Sequence, residues 1–560
     1  MADLFWPFAA HGPATEVLDW RTDVLQSEAA EQRLSLRDTP REVLTLRHRL
    51  DGPGLAEALA LASRGLAGDW IVPLWHMADR NGGDIALGDT SLSIAARPAD
   101  YRAPGFAVAA SDGGEAHLLS VAAVRPDGIE LVSAAGVALT HPVIAPARRA
   151  RLLAPLEIER RHADLGFVTA RFLLQESADL SGLRGTALYI AVDTSTSMSG
   201  TKITAAMAAV RALVDELAGS VPPALRNDIC ILLWHETVAD MQVRRDADRP
   251  DLTQLSDWLA QPPVLRGGTD FAMALSEAQG FFAGAGAKRR IILFLTDGEP
   301  YPLGSATAAV ALLETIADVE VYGFNIGLTN TSWTAMLDNT PADGVPVIAP
   351  GDTDSLRDTL LGTLFGIPRY RGRDVLMDPS VLRQPLAETL SQSFEGVDSG
   401  LGPIVFEPLR DLVEHGSVLT LKGIGSANTW SRRRWLHHLR GRARAFWLPT
   451  WGREVILAQE ALDGDDVLIV APRLEPSDWI GRHVLLDLPG QPVLRIITSA
   501  SLDPLGLRLG IDPLDRHVPI TTPGHLLTLV RLDTDRVEIE HRPAGTEVSL
   551  TVLEIPDLTP

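Results

Sequence analysis

Asp193-Thr194-Ser195-Thr196-Ser197 follows directly on the apolar run Ala187–Val192 and leads into a helical pattern. A buried strand ending in D-x-S-x-S sets one carboxylate and two hydroxyls on the turn at its carboxyl end. Open α/β sheets bind their ligands there, outside the carboxyl ends of the strands. Carboxylate, hydroxyl and water oxygens are hard ligands that suit Mg²⁺, Ca²⁺ or Mn²⁺. Alone the pentapeptide is weak, because such turns arise by chance, but two later segments strengthen it. Gly267-Gly268-Thr269-Asp270 is a tight turn carrying another hydroxyl ahead of an apolar helix. Ile291–Leu295 runs into Thr296-Asp297-Gly298, a second strand ending in an acid. Asp193, Ser195, Ser197, Thr269 and Asp297 therefore form one candidate ligand set.

Periodicity around the motif agrees. Ile203, Met207, Val210, Leu213, Val214 and Leu217 recur at helical spacing, and Gly219 sits where a left-handed cap would end the helix. Ile229–Trp234, Ile291–Leu295 and Val319–Ile326 are apolar runs of strand length separated by helical stretches. Such alternation implies a parallel sheet covered on both faces. A last amphipathic helix near Asp354–Phe365 precedes Pro368. A nucleotide site is disfavoured: no G-x-G-x-x-G follows a strand, and Ser199-Gly200-Thr201-Lys202 lacks the upstream glycine of a phosphate loop.

In this order, the ligand set resembles the metal-ion-dependent adhesion site of von Willebrand factor A (VWA) domains, with every position filled, across roughly residues 181–367. The resemblance implies a Rossmann-like α/β domain whose cation is completed by an acidic residue of a partner. Two serines, a threonine and two acids make a compact shell, so Mg²⁺ is the first choice, with Ca²⁺ or Mn²⁺ as alternatives. Competing readings differ by residue. Asp193 and Asp297 end buried strands, where an uncompensated carboxylate is costly. Ser195 and Ser197 would serve equally as helix caps, and Thr269 as an ordinary turn residue. Asp270 and Glu299 lie beside the set without being expected ligands.

At 560 residues the chain exceeds a single core. Its net charge of −22 argues against a nucleic-acid surface as the main function. The lone cysteine, Cys230, falls inside an apolar strand and reads as a small buried hydrophobe, so no intrachain disulfide is expected. Met1–Ala10 has no basic start and does not read as a secretory signal. No 18 apolar residues run together, so no membrane span is expected.

The flanks echo each other. Val43-Leu44-Thr45-Leu46-Arg47 returns as Val418-Leu419-Thr420-Leu421-Lys422, Leu36-Arg37-Asp38 as Leu409-Arg410-Asp411, Pro73-Leu74-Trp75 as Pro449-Thr450-Trp451, and Glu157-Ile158-Glu159 as Glu538-Ile539-Glu540. The order is kept and the shift drifts by only a few residues. The expected organisation is thus multidomain: residues 1–180 and 368–560 are two copies of a β-rich module with a covering helix, and residues 181–367 are inserted between them. The helix is expected around Leu55, Leu59, Leu61 and Leu66 in one copy and Trp435, Leu436 and Leu439 in the other. Superposition is expected to bring Trp75 onto Trp451 and Glu157 onto Glu538, with Gly182 and Gly185 marking the entry to the insert.

Phe5-Trp6-Pro7, Trp20-Arg21-Thr22-Asp23-Val24-Leu25, Glu31-Gln32-Arg33, Leu36-Arg37 with Pro40-Arg41, the stretch Ala445–Trp451 and the stretch Leu532–Glu538 together resemble minor tail proteins of long-tailed bacteriophages. Such proteins do not usually carry the central domain, which departs from the pattern. The resemblance implies a virion role at the tail tip or baseplate, with synthesis in the host cytoplasm. Implied partners are other tail proteins, copies of the same chain in a symmetric assembly, and a host-surface ligand offering a carboxylate. The alternative is a bacterial cytoplasmic adaptor working with an AAA⁺ ATPase; the duplicated frame favours the first reading.

Other chemistry is weaker. The basic stretch Arg432–Arg444 reads as an amphipathic helix with arginines solvated or paired to carboxylates. His437 and His438 point about 100° apart on a helix and make a poor metal pair. Phe446, Trp447 and Trp451 read as a packed corner rather than a sugar platform. No H-E-x-x-H, C-x-x-C or G-x-S-x-G occurs, and no nucleophile and base come together, so an enzyme is not expected.

Overall fold

Thr186–Asp193 is buried at every residue because it has a strand on each side and helices on each face. In the computed structural model it pairs in parallel with Asn227–Trp234 and with Arg289–Thr296. Val319–Ile326 and the short Val347–Ile348 extend the second side in parallel. Val238–Ala247 closes the other edge antiparallel. Numbered along the chain, the strand order is 3-2-1-4-5-6, which places a topological switch point between the first and fourth strands. Described here are residues 4–555 apart from 27–30, 38, 65–67, 81–82, 95–98, 112–114, 126–127, 163, 176–185, 221–226, 286–288, 328–329, 340–344, 379–380, 382–386, 393, 399, 401, 409–413, 472–474, 489–491 and 543–544.

Alternate residues of the central strand feed two cores, as its pleat requires. Leu188, Ile190 and Val192 pack with the helices Thr201–Ser220, Arg249–Leu259 and Thr353–Phe365. Ala187, Tyr189 and Ala191 face Phe271–Ala283 and Ser305–Leu313. Each helix expected from the apolar period of this region is present. All six residues of the Ile203–Leu217 stripe are buried, and Cys230 is a buried free thiol. Gly219 does not end its helix, which continues to Ser220; one helical glycine costs only about 1 kcal/mol, less than Leu217 gains by burial. The left-handed glycine cap occurs instead at Gly366, closing Thr353–Phe365.

The antiparallel flanks share one hydrogen-bonded sheet. In the first, Arg41–Asp51 lies between Ala14–Asp19 and Leu165–Leu174, and the helix Gly52–Ser63 follows it. In the second, Glu414–Gly423 lies between Ala387–Ser391 and Gly545–Glu554, and the helix Ser426–Leu439 follows it. Each flank inserts a hairpin between its first two long strands, Thr22–Ser35 in one and Phe394–Pro408 in the other. Ala14–Asp19 also pairs with Arg536–Arg542, which carries the sheet across from one flank to the other.

The first covering helix buries Leu55 and Ala58 but exposes Leu59. Its sequence is apolar almost all round, so period alone did not select a face. The basic helix packs Trp435, Leu436 and Leu439 inward, while Phe446 and Trp447 are buried in the β structure. That helix shares one core with Leu364 and Phe365 of the α/β unit. Leu66, Gly182, Gly185 and Leu409-Arg410-Asp411 lie outside the described residues.

Candidate metal centre

The two buried carboxylates come from the strands flanking the switch point. Asp193 ends the first strand with no side-chain exposure, and Asp297 follows the last residue of the fourth. Asp193 Oδ1 accepts the Ser195 amide at 2.7 Å, which tightens the turn after the strand. Its Oδ2 accepts the Thr296 hydroxyl at 2.7 Å. The Ser195 and Ser197 hydroxyls lie 2.9 Å apart, and Ser197 Oγ donates to Asp297 Oδ1 at 2.8 Å. Ser195 stands at the N-cap of the one-turn helix Thr196–Met198 but its side chain makes no cap bond. The two hydroxyls are instead joined to each other and, through Ser197, to Asp297.

Thr269 arrives on the segment that joins the helices Arg249–Leu259 and Phe271–Ala283. Gly267 adopts φ +64°, a left-handed conformation that a side chain would strain. Glu236 accepts the Gly268 amide at 2.9 Å and holds the turn down. The Tyr301 amide donates to the Thr269 carbonyl at 2.8 Å and fixes its other end. A Cβ at Gly298 would lie 3.2 Å from Thr269 Oγ1 and 3.6 Å from Ser197 Oγ, so these hydroxyls share a space that only glycine leaves open. Asp270 has turned away: its carboxylate caps the helix Phe271–Ala283 through the Ala272 and Met273 amides.

Electrostatically the site is short of positive charge. Burial pushes the Asp193 carboxyl up to about 6, and the neighbouring Asp297 adds to the rise, against the hydrogen bonds from Thr296 and Ser195 that pull it down. No ion pair to Asp193 is present among the described residues. Lys202, on the first turn of the following helix, places Nζ 2.5 Å from Asp297 Oδ2 and 3.4 Å from the Ser197 carbonyl. One ammonium thus faces two buried carboxylates. Three hydroxyls and two carboxylates converging with a net negative charge fit a small hard divalent cation.

Of the five expected residues, Ser195, Ser197 and Asp297 are joined by hydrogen bonds, Asp193 lies against the Ser195 amide, and the Thr269 hydroxyl stands beside Gly298. Sequence reasoning missed Thr296 and Lys202. Lys202 had been weighed only as a phosphate-loop remnant, although a lysine one turn after a carboxylate motif is a recognisable counter-ion signal. Thr296 stands beside Asp297 in the expected motif, and only the sheet register shows that its hydroxyl reaches Asp193.

The profile of the von Willebrand factor type A domain matches residues 188–299, a span that contains all five side chains. A VWA domain is present in this chain. Among solved structures, the chain is similar to the BatB protein of Bacteroides thetaiotaomicron, at 17% identity and TM-score 0.25 over 31% of this chain and 95% of that one. It is similar to the vWF domain of the type V pilus tip protein Mfa5 of Porphyromonas gingivalis, at 11% identity and TM-score 0.28 over 33% and 97%. It is also similar to proximal thread matrix protein 1 of the mussel byssus, described with a zinc-occupied MIDAS motif, at 13% identity and TM-score 0.28 over 33% and 46%. No curated protein sequence matches the chain.

Proposed function

We propose that this protein is a non-enzymatic, metal-dependent binding subunit of a larger assembly, and that the assembly is the tail tip or baseplate of a long-tailed phage. The observation that carries the metal-dependent reading is the convergence of Asp193, Ser195, Ser197, Thr269 and Asp297 around an uncompensated buried carboxylate. These residues would hold Mg²⁺, with Ca²⁺ or Mn²⁺ as alternatives, and the bound ion would supply a Lewis-acidic position for a partner's carboxylate. The rim suits a docking partner: Tyr301 and Leu303 stand exposed beside the Thr269 turn. The partner is another virion protein or a host-surface ligand offering an acidic side chain.

The assembly reading rests on the flanks. We take them as two copies of one module, because strand, hairpin, strand and helix recur in the same order with the same pairings. Two strands at the ends of this frame, Glu157–His162 and Ala387–Ser391, are exposed at every residue and pair on one side only among the described residues. Unpaired edges of this kind are templates for strand addition by a neighbouring copy. The phage attribution itself comes from the sequence resemblance of the flanks.

Titration calorimetry with Mg²⁺ on the full chain tests the metal reading: the parent is expected to bind one ion at the site and Asp193→Ala none. Electron microscopy of purified protein and of particles tests the assembly. A strictly monomeric chain, with only the VWA domain touching neighbours in a particle, would overturn it.

A further inference from the structure

The seam between Ala14–Asp19 and Arg536–Arg542 brings Glu16 and His541 together in the interior, both nearly without exposure. His541 Nε2 lies 3.1 Å from Glu16 Oε2. His76, on the one-turn helix Trp75–Met77, stacks on His541 with centroids 4.0 Å apart and planes at 25°. Both ring nitrogens of His76, and Nδ1 of His541, are closed off from solvent and have no hydrogen-bond partner among the described residues. Leaving three imidazole nitrogens unpaired in the interior is unfavourable.

We propose that Glu16, His76 and His541 form a second metal site, distinct from the VWA site, which takes a transition ion such as Zn²⁺ and pins the first flank to the second. One ligand atom from each of the three lies within 4.8 Å of the others. Two imidazoles and a carboxylate with a fourth position open are a donor set for Zn²⁺. A tetrahedral ion about 2.0–2.1 Å from its ligands holds them about 3.4 Å apart. The rings must therefore tip out of their stack for both to face one ion.

The surroundings select the class of ion. Arg433 takes Glu16 Oε1 through Nε and Nη2 at 2.9 and 2.7 Å, which leaves Oε2 for the histidines. Glu42 and Asp100 are matched by Arg102 and Arg148, so the acids and arginines balance and no excess negative field remains. A hard cation that depends on carboxylate charge gains little here. A softer ion bonded through imidazole nitrogen does not depend on that field. The ligands belong to three separate segments on the two flanks, so binding couples directly to how the flanks are held together.

Cobalt(II) is the probe, added to full-length Asp193→Ala so that the VWA site is empty whether or not it binds metal in the parent. The expected result is one equivalent bound with an intense blue tetrahedral spectrum, and a thermal unfolding midpoint that rises with Zn²⁺ and falls with a chelator. Adding His541→Gln or His76→Gln to Asp193→Ala should each abolish the spectrum and the shift. Should His541→Gln fail to fold, the partly exposed His76→Gln and X-ray absorption on Zn²⁺-loaded Asp193→Ala decide, the latter expected to show imidazole nitrogen near 2.0 Å. Only the faint pink of octahedral cobalt, no binding, or a response retained in His76→Gln overturns the proposal.

Discussion

Asp193→Asn separates the two roles of the central carboxylate, folding and metal binding, and should move them in opposite directions. In the metal-free protein, burial raises the Asp193 carboxyl from 3.8 to about 6. A carboxyl whose folded value is raised contributes stability that is fully present below its unfolded value and lost as pH rises through the folded one. The window is therefore about pH 4 to 6, and above it the charged group disfavours the fold by about 3 kcal/mol. Asparagine keeps the shape and the bond from the Ser195 amide, but its NH2 group replaces the oxygen that accepts the Thr296 hydroxyl, a loss of roughly 1 kcal/mol. The metal-free variant should thus exceed the parent in stability by about 2 kcal/mol at pH 8 and show no gain at pH 4. With Mg²⁺ at about a hundredfold its Kd, the parent gains about 2.7 kcal/mol and the variant nothing, so their order reverses. Urea unfolding of the α/β unit, followed by its tryptophans at both pH values with chelator and with Mg²⁺, reads all four conditions. A metal-free variant less stable than the parent at pH 8, or one that still responds to Mg²⁺, would refute the reasoning.

Removing Lys202, whose ammonium neutralises Asp297 from 2.5 Å, should tighten Mg²⁺ binding in Lys202→Met, at least tenfold by calorimetry, because the ion no longer competes with a fixed charge. Gly267→Ala forces a side chain into a left-handed turn against Glu236 and should weaken Mg²⁺ binding while the far side of the sheet keeps its hydrogen-exchange protection. Arg433→Met takes from the almost fully buried Glu16 the guanidinium that holds its Oε1, and from Glu42 one of its partners. It should cost about 3–5 kcal/mol in denaturant unfolding, far more than loss of the exposed pair between Arg125 and Glu130.

The candidate metal loop was readable as a place in the fold because its signals are local: each expected ligand sits next to a strand end or a tight turn that announces itself by apolar run and glycine. Val238–Ala247 was not readable as a strand. It lies on the edge of the sheet, most of its residues are exposed or half-buried, and Arg244-Arg245-Asp246 interrupts any alternation. The helix Gly52–Ser63 was found, but its face was not, for lack of polar residues to mark the solvent side. Least readable was the charged interior at the flank seam. Glu16, Glu42, Asp100, Arg148, Arg433 and His541 come from six segments far apart in sequence, and each alone looks like an ordinary surface charge. Only strand register puts them together, and register is a property of the whole sheet.

The helix Thr201–Ser220 ties the VWA domain to the second flank. At its first turn Lys202 meets Asp297 of the metal centre. At its last turns Glu216 meets His438 and Arg444 of the second flank, about 21 Å away at 1.5 Å per residue. Burial alone would raise the Glu216 carboxyl, yet the hydrogen bond from His438 and the Arg444 guanidinium hold it well below the usual carboxylate range. His438 also reaches Asp374 and stacks on Phe365, the last residue of the domain's closing helix. One helix therefore runs from the candidate metal centre to the second flank, fixed by an ion pair near each end. Its two ends cannot move independently, so a change at the carboxylate cluster and a change at the Glu216 contact are coupled through the same element.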